Sequence, residues 1–320
     1  MRAKHQRCGS AEAGAGRGGR TGASLYQEIT DRIIAELERG TVPWVKPWGS
    51  AKADLGLPSN AATGRRYSGI NILILWGAVI ERSYPGQNWL TFRQALSLGG
   101  NVRKGERGTT IVHADRFVPK GEQERARTDG DEPQAVPYLK RFTVFNVAQC
   151  DGLPEHLYRK AEPLPERQIV PQAEGLIRAS GADFRIGGDR AFYMPGTDTI
   201  QVPPQPAFFQ QIDYYRTCFH ELGHWTGHPA RLARDLSGAF GSKTYAREEL
   251  VAEITAAFVC STLGIEPTVR HADYIGTWLK VLREDNRAIF RAASLASKAA
   301  DFLLGFNAEA EGAQQNEIAA

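Results

Sequence analysis

At 320 residues the chain has room for two modest domains, and with 42% hydrophobic and 23% charged residues its composition is that of a globular protein, not a fibrous one. The longest apolar run, around Ile70 to Ile80, is broken by Asn71 and Gly77 and falls short of the roughly 20 residues a membrane span needs, so no membrane partner is expected. The net charge of +3 is unevenly held: residues 1–150 carry 22 Lys+Arg against 14 Asp+Glu and the remainder 17 against 22, a bias that suits either a polyanion partner for the first half or a solvated basic surface.

Residues 1–23, with Gly-Arg-Gly-Gly-Arg at 16–20 and almost no large apolar side chains, read as a disordered basic tail. A helix is expected behind Ser24, with Tyr26, Ile29, Ile33, Ile34 and Leu37 on one face and Gly40 as its stop. Residues 41–69 are rich in Pro, Gly and aromatics; a helix follows from Gly69 to about Arg82, and a helical piece spans Thr91–Leu98. Thr109–His113 and Tyr138–Val147 read as strands by their β-branched content, with the charged stretch 119–137 as a surface loop between them. Four prolines in 151–171 mark that stretch as the linker between a domain at 24–150 and a second at 172–306.

The second domain opens with a helix near Ala173–Ala179 and short strands at Asp183–Ile186, Ala191–Met194 and Thr199–Val202, then turns helical, with residues 307–320 as a loose tail. A small sheet followed by helices makes the fold class α+β. Cys8, Cys150, Cys218 and Cys260 form no Cys-x-x-Cys pair, which argues against a disulfide framework and against a cysteine-bound zinc. No apolar signal core stands near the start, so a cytoplasmic location is expected.

Three of the seven histidines fall in His220-Glu221-Leu222-Gly223-His224-Trp225-Thr226-Gly227-His228. On a helix, positions i and i+4 share a face, so His220 and His224 converge on one metal while Glu221 is displaced towards a metal-bound water as general base. Asp213 is expected to cap this helix, and Gly227 and Pro229 to end it. A second helix, from near Thr244 to Gly264, carries acids in a small and apolar stretch, where an unpaired carboxylate costs several kcal/mol unless a cation meets it. Glu253 is favoured as third ligand because its neighbours are the more apolar; Glu249, one turn earlier on the same face, is the alternative or orients a histidine, and His228 is a further candidate. Two histidines, an acid and an open fourth position describe a catalytic Zn²⁺ site, with another divalent transition metal as the variant. Tyr214, Tyr215, Trp225 and Phe258 read as packing residues, and Tyr245 as an ordinary helix-end tyrosine or a donor to an oxyanion. The strand Thr199–Val202 is placed to offer an edge to an extended polypeptide substrate of unidentified sequence.

Single-stranded nucleic acid is gripped by basic side chains that follow the phosphates and by aromatics that stack on bases. Trp44, Trp48, Tyr67, Trp76, Trp89 and Phe92 are interleaved with Lys46, Arg65, Arg66, Arg93, Arg103, Lys104 and Arg107, although tryptophans serve as often in cores.

The stretch from Leu25 to Cys150 resembles the N-terminal domain of ArdC-type antirestriction proteins, also found in plasmid primase-like proteins. The matching signatures are Trp44-Val45-Lys46-Pro47-Trp48, Tyr67-Ser68-Gly69-Ile70-Asn71, Thr91-Phe92-Arg93-Gln94-Ala95 and Val102-Arg103-Lys104-Gly105-Glu106. The second half resembles that family's zincin-like domain through the histidine motif, Arg231-Leu232 and Glu248-Glu249-Leu250-Val251-Ala252-Glu253. The resemblance implies a single-stranded-DNA-binding domain fused to a metallopeptidase-like domain, protecting incoming plasmid DNA from restriction during conjugation. Two other readings stand beside it: a DNA-binding protector whose metal is structural, and a metal-dependent DNA-processing enzyme, which the shortage of carboxylate ligands disfavours.

Overall fold

The computed structural model describes residues 22–45, 56–119, 121, 122, 125, 126, 132, 134–158, 166–267 and 274–318. Of the tail expected at 1–23, residues 1–21 lie outside them, as do the signature residues Lys46, Pro47 and Trp48, while Gly22 and Ala23 already belong to the first helix.

Helix α1 (Gly22–Glu38) buries Leu25, Ile29, Ile33 and Leu37, one stripe at intervals of four, and ends before Gly40, whose φ of 73° is a left-handed exit that costs glycine little. Tyr26 sits beside that stripe, edge-on to Phe290. Helix α2 (Ile70–Glu81) is apolar almost all round and accordingly enclosed on all sides. Its one polar interior residue, Asn71, takes the place of a strand partner: its Nδ2 donates to the Val112 carbonyl at 2.7 Å and its Oδ1 accepts the Val112 N–H at 2.9 Å. The Tyr67–Asn71 signature is therefore a docking joint between this helix and the sheet.

That sheet runs in the order β1 (Ser59–Asn60), β2 (Asn88–Leu90), β5 (Val136–Asn146), β4 (Thr109–Phe117), with β1 parallel to β2 and the other pairs antiparallel. Helix α3 (Phe92–Ser97) starts from a capping box between Thr91 and Gln94, and β3 (Asn101–Val102) pairs with β6 (Cys150–Asp151). The stretch expected to be a linker is partly packed: Leu153 and Leu157 are buried against Val102 and Cys150, and helix α4 (Glu166–Ala179) already begins at Glu166.

In the second half, β7 (Asp183–Ile186), β8 (Phe192–Met194) and β9 (Thr199–Val202) form a sheet of order β7-β9-β8, with β7 parallel and β8 antiparallel to β9. The expectation that Thr199–Val202 offers a free edge is corrected: β9 is central, with β7 on one side and β8 on the other, so among the described residues the edges of this sheet belong to β7 and β8. Helices α5 (Gln211–Trp225), α6 (Lys243–Thr262), α7 (Ile275–Glu284) and α8 (Ala288–Ile318) follow, with α6 buried among the others. Asp213 is not the cap of α5. Gln210 holds that position, and Asp213 stands in the first turn, ion-paired with Arg216 at 2.6 Å. Residues 307–318, expected as a loose tail, continue α8, since Ala, Glu and Gln propagate a helix that packing has already nucleated.

One core runs through both halves. Trp44 meets Trp278 edge-on at 5.5 Å and Trp76 meets Phe258 at 5.5 Å, so α1 and α2 close against α6 to α8. Among the described residues no helix is long and apolar enough to cross a membrane.

Candidate metal centre and nucleic-acid face

Helix α5 places His220 and His224 one turn apart, and their Nε2 atoms stand 3.2 Å from each other. Helix α6 packs across them and brings in Glu249, with Oε1 3.3 Å from His224 Nε2 and Oε2 3.6 Å from His220 Nε2. Ligands about 2.0–2.2 Å from a shared tetrahedral ion stand roughly 3.3–3.6 Å apart, so these three groups have the spacing a divalent metal requires. His220, His224 and Glu249 are also the His/Cys/Asp/Glu group among the described residues whose ligand atoms all lie within 4.8 Å of one another.

The preference for Glu253 as the residue that joins the histidines is thereby corrected. Its Oε1 lies 3.7 Å from the opposite ring nitrogen of His220, Nδ1. One helical turn separates Glu249 from Glu253, about 5.4 Å along the axis, enough to move a carboxylate from the front of the imidazole to its back. Apolar neighbours do not discriminate between them, since Glu249 is 3% exposed and Glu253 2%. His228 also stays outside the cluster, its Nδ1 accepting the Ala230 N–H at 3.2 Å.

His224 has its own carboxylate behind it. Glu248 Oε1 lies 3.3 Å from His224 Nδ1, and Arg234 holds Glu248 through two nitrogens, at 3.0 and 2.7 Å. No periodicity points to Arg234, which lies in the loop ten residues beyond His224, and Glu248 is hidden in the sequence by its neighbour Glu249. Glu221, Glu248, Glu249 and Glu253 are all buried, an accumulation of carboxylate that calls for positive charge. Burial opposes a charged imidazole at His224, but the bonds to Glu248 and Glu249 outweigh it and raise its pKa to about 10. Burial likewise works against the charge of Glu249, and its contacts with both histidines still hold it well below the usual carboxylate range.

The cluster forms the floor of an open cleft of about 250 Å³, with Glu221 beside the histidines and Phe192, Tyr193, Leu236 and Tyr245 in its walls. Tyr245 stands one turn before Glu249 on α6, 3.3 Å from the Tyr274 hydroxyl; burial first, and then that contact, push its phenol far up, so it stays a proton donor. Tyr193 belongs to the edge strand β8, and its hydroxyl donates to Asp198 at 2.7 Å. Arg231 joins this strand to the end of α5: it pairs with Asp198, donates to the Trp225 carbonyl at 2.7 Å and lies over the Trp225 ring.

The basic residues of the first half divide into two groups. Trp44, Trp76 and Trp89 are 1% exposed or less, so none of them has a face open to a base, and Trp44 is corrected from a stacking platform to a core residue. Tyr67 is half-buried against the small core that contains Trp89. Arg103 is committed to Glu106, Asp151 and the Ala148 carbonyl. Arg65, Arg66, Arg93, Lys104 and Arg107 are exposed and, among the described residues, form no ion pair. Near them Phe92, 49% exposed at the start of α3, lies 6.4 Å from the Phe145 ring. Hydrogen bonds between the Asn60 and Gln94 side chains tie the Arg65–Arg66 turn to α3, and Gly108 lies against Phe145, which brings the 103–107 turn to the same surface.

Residues 171–295 match the zincin-like metallopeptidase family, and residues 23–145 match the N-terminal domain of anti-restriction factor ArdC. The metal-free crystal structure of the antirestriction protein ArdC from the R388 plasmid is similar with a TM-score of 0.75 and 41% identity, covering 89% of this chain and 98% of that one. Its Mn(II)-bound structure gives 0.73 and 40%, covering 88% and 97%. An uncharacterized protein, y4eC, of Sinorhizobium fredii is 38% identical over 93% of this chain and 96% of its own length. A DNA primase TraC of Escherichia coli is 42% identical over 88% of this chain, which spans only 27% of that primase.

Proposed function

This chain belongs to the ArdC family of antirestriction proteins, and on that premise we propose that it holds single-stranded DNA on its first domain and hydrolyses polypeptide at the metal cleft of its second. The observation that carries the enzymatic part is the convergence of His220, His224 and Glu249 beside Glu221 at the floor of an open cleft. Two imidazoles and one carboxylate with an accessible side suit zinc, and the Mn(II)-bound relative makes a second divalent metal a fair comparison. Held by His220, His224 and Glu249, a zinc ion would supply Lewis acidity, lowering the pKa of a bound water towards 7 and polarising the scissile carbonyl.

The remaining work falls to the protein. Glu221 accepts the proton of the attacking water and returns it to the departing amine nitrogen. Tyr245 keeps its proton and offers a hydrogen bond to charge developing on the carbonyl oxygen. The edge of β8, unpaired among the described residues, aligns an extended polypeptide through main-chain hydrogen bonds. On the other domain, Arg65, Arg66, Arg93, Lys104 and Arg107 follow phosphates while Phe92 stacks on a base. Together these activities serve the protection of plasmid DNA entering a recipient cell by conjugation.

The test is Glu221→Gln in the full chain, with metal content by plasma mass spectrometry and casein turnover measured with and without single-stranded DNA. The variant is expected to keep its metal and lose turnover. Turnover equal to the parent protein would remove Glu221 from the mechanism.

A further inference from the structure

The loop that leaves α5 returns a buried cation to the back of the metal site. Arg234 has 4% of its side chain exposed, and all three guanidinium nitrogens are engaged. Nε donates to Glu248 Oε2 at 3.0 Å and Nη2 to Glu248 Oε1 at 2.7 Å, while Nη2 also reaches the Gly223 carbonyl at 2.6 Å and Nη1 the Thr226 hydroxyl at 2.8 Å. The loop is shaped for this return: the Arg234 N–H bonds to the Gly227 carbonyl at 2.9 Å, and a Cβ on Gly227 would lie 2.9 Å from Arg234 Nη2. Only a fork of fixed geometry satisfies both carboxylate oxygens and the helix end together.

From this arrangement we infer that Arg234 is a positioning residue for the metal, acting through Glu248 to fix the ring of His224. The chain of contacts is continuous, from the guanidinium to both Glu248 oxygens, from Oε1 to His224 Nδ1 at 3.3 Å, and from the far side of that ring to the shared metal position. A carboxylate on the outer nitrogen of a ligating histidine fixes its tautomer and raises its basicity, and an arginine that locks the carboxylate's plane extends that control by one residue. The inference rests on the metal-site reading above and not on peptidase turnover.

The experiment measures zinc dissociation constants of the full chain by competition with a chromophoric chelator, together with the thermal stability of each chelated protein. Arg234→Ala and Glu248→Gln are each expected to weaken zinc by about 10–100-fold. Arg234→Lys, which keeps the charge and loses the fork, is expected to fall between them and the parent, and the double variant to be no weaker than the weaker single. Arg231→Ala, in the same loop but bound to Asp198, serves as control and is expected to change zinc affinity by less than about 3-fold. Zinc affinity unchanged in Glu248→Gln and Arg234→Lys overturns the inference even if Arg234→Ala does not fold, as does equal weakening by Arg231→Ala or an additive double variant. A parent protein that binds no zinc overturns the metal-site reading itself.

Discussion

Gly223 on α5 and Ala252 on α6 stand in backbone contact: a Cβ on the glycine would lie 3.1 Å from the Ala252 Cα and 3.2 Å from its carbonyl oxygen. The contact lies between the two helices that supply His220, His224 and Glu249, so its closeness sets the spacing of the metal groups. Gly223→Ala gains about 1 kcal/mol of helix propensity and loses about 1–3 kcal/mol to overpacking against backbone. The expected outcome is a small net change in melting temperature with a clear loss of metal affinity, read by chelator competition. Parent-like affinity would mean that the helices absorb the methyl without moving Glu249.

Glu249 and Glu253 make opposite predictions for metal content. Glu249→Ala removes the carboxylate that faces both Nε2 atoms and is expected to leave the purified protein with little bound zinc. Glu253→Ala leaves those three groups in place and takes away only the acid behind His220, so one zinc per chain is expected at an affinity lower by about 10-fold or more. Stoichiometric zinc in the first variant together with loss in the second would return the ligand role to Glu253.

Much of this architecture is legible in the residues because it is local. The strands Asp183–Ile186 and Thr199–Val202 and the helix between Gly69 and Arg82 follow from β-branching, periodicity and flanking glycines. The convergence of His220 with His224 follows from one helical turn. What is not legible depends on how elements slide against each other. Glu249 and Glu253 share a helical face, and only the offset of α6 against α5 decides which of them meets the histidines. Strand order is equally hidden, because nothing within Thr199–Val202 announces a parallel partner that removes its free edge. Trp44 carries the same basic and aromatic surroundings that a stacking platform would, and its role is settled by Trp278, more than two hundred residues away.

The aromatic residues of the first domain separate accordingly in a binding assay. Phe92→Ala is expected to weaken single-stranded DNA by about 1–3 kcal/mol without changing stability, since that ring is half exposed. Trp44→Ala empties a core position and is expected to cost about 3–5 kcal/mol of stability, with unchanged DNA affinity per folded molecule. Fluorescence anisotropy of a labelled oligonucleotide alongside thermal melts distinguishes them; a Phe92→Ala protein that binds as tightly as the parent would take the ring out of the interface. Removing one of Arg65, Arg66, Arg93, Lys104 or Arg107 is expected to flatten the logarithmic salt dependence by about 0.7 for each phosphate that is no longer neutralised.

Asp198 links the edge strand to the end of the metal helix, and its ionisation supplies a pH test. The hydrogen bond from Arg231 holds its carboxyl below the ordinary value of 3.8, with burial opposing and the Tyr193 hydroxyl adding to the depression. Because the folded pKa is the lower one, the pair stabilises the protein above about pH 4, and that contribution disappears as pH falls through the folded value. Asp198→Asn keeps the shape and tolerates the positive φ of 51° found there, but takes no negative charge at any pH. Its melting temperature is therefore expected to lie below the parent's at about pH 6 and to approach it as the pH is lowered from about 5 towards 3. Tyr193, bonded to the same carboxylate, lines the cleft, so the variant is also expected to raise KM for a polypeptide substrate while leaving metal content unchanged. A melting difference that stays constant across that range would show that charge on Asp198 contributes nothing, and a KM equal to the parent's would separate the clamp from substrate alignment.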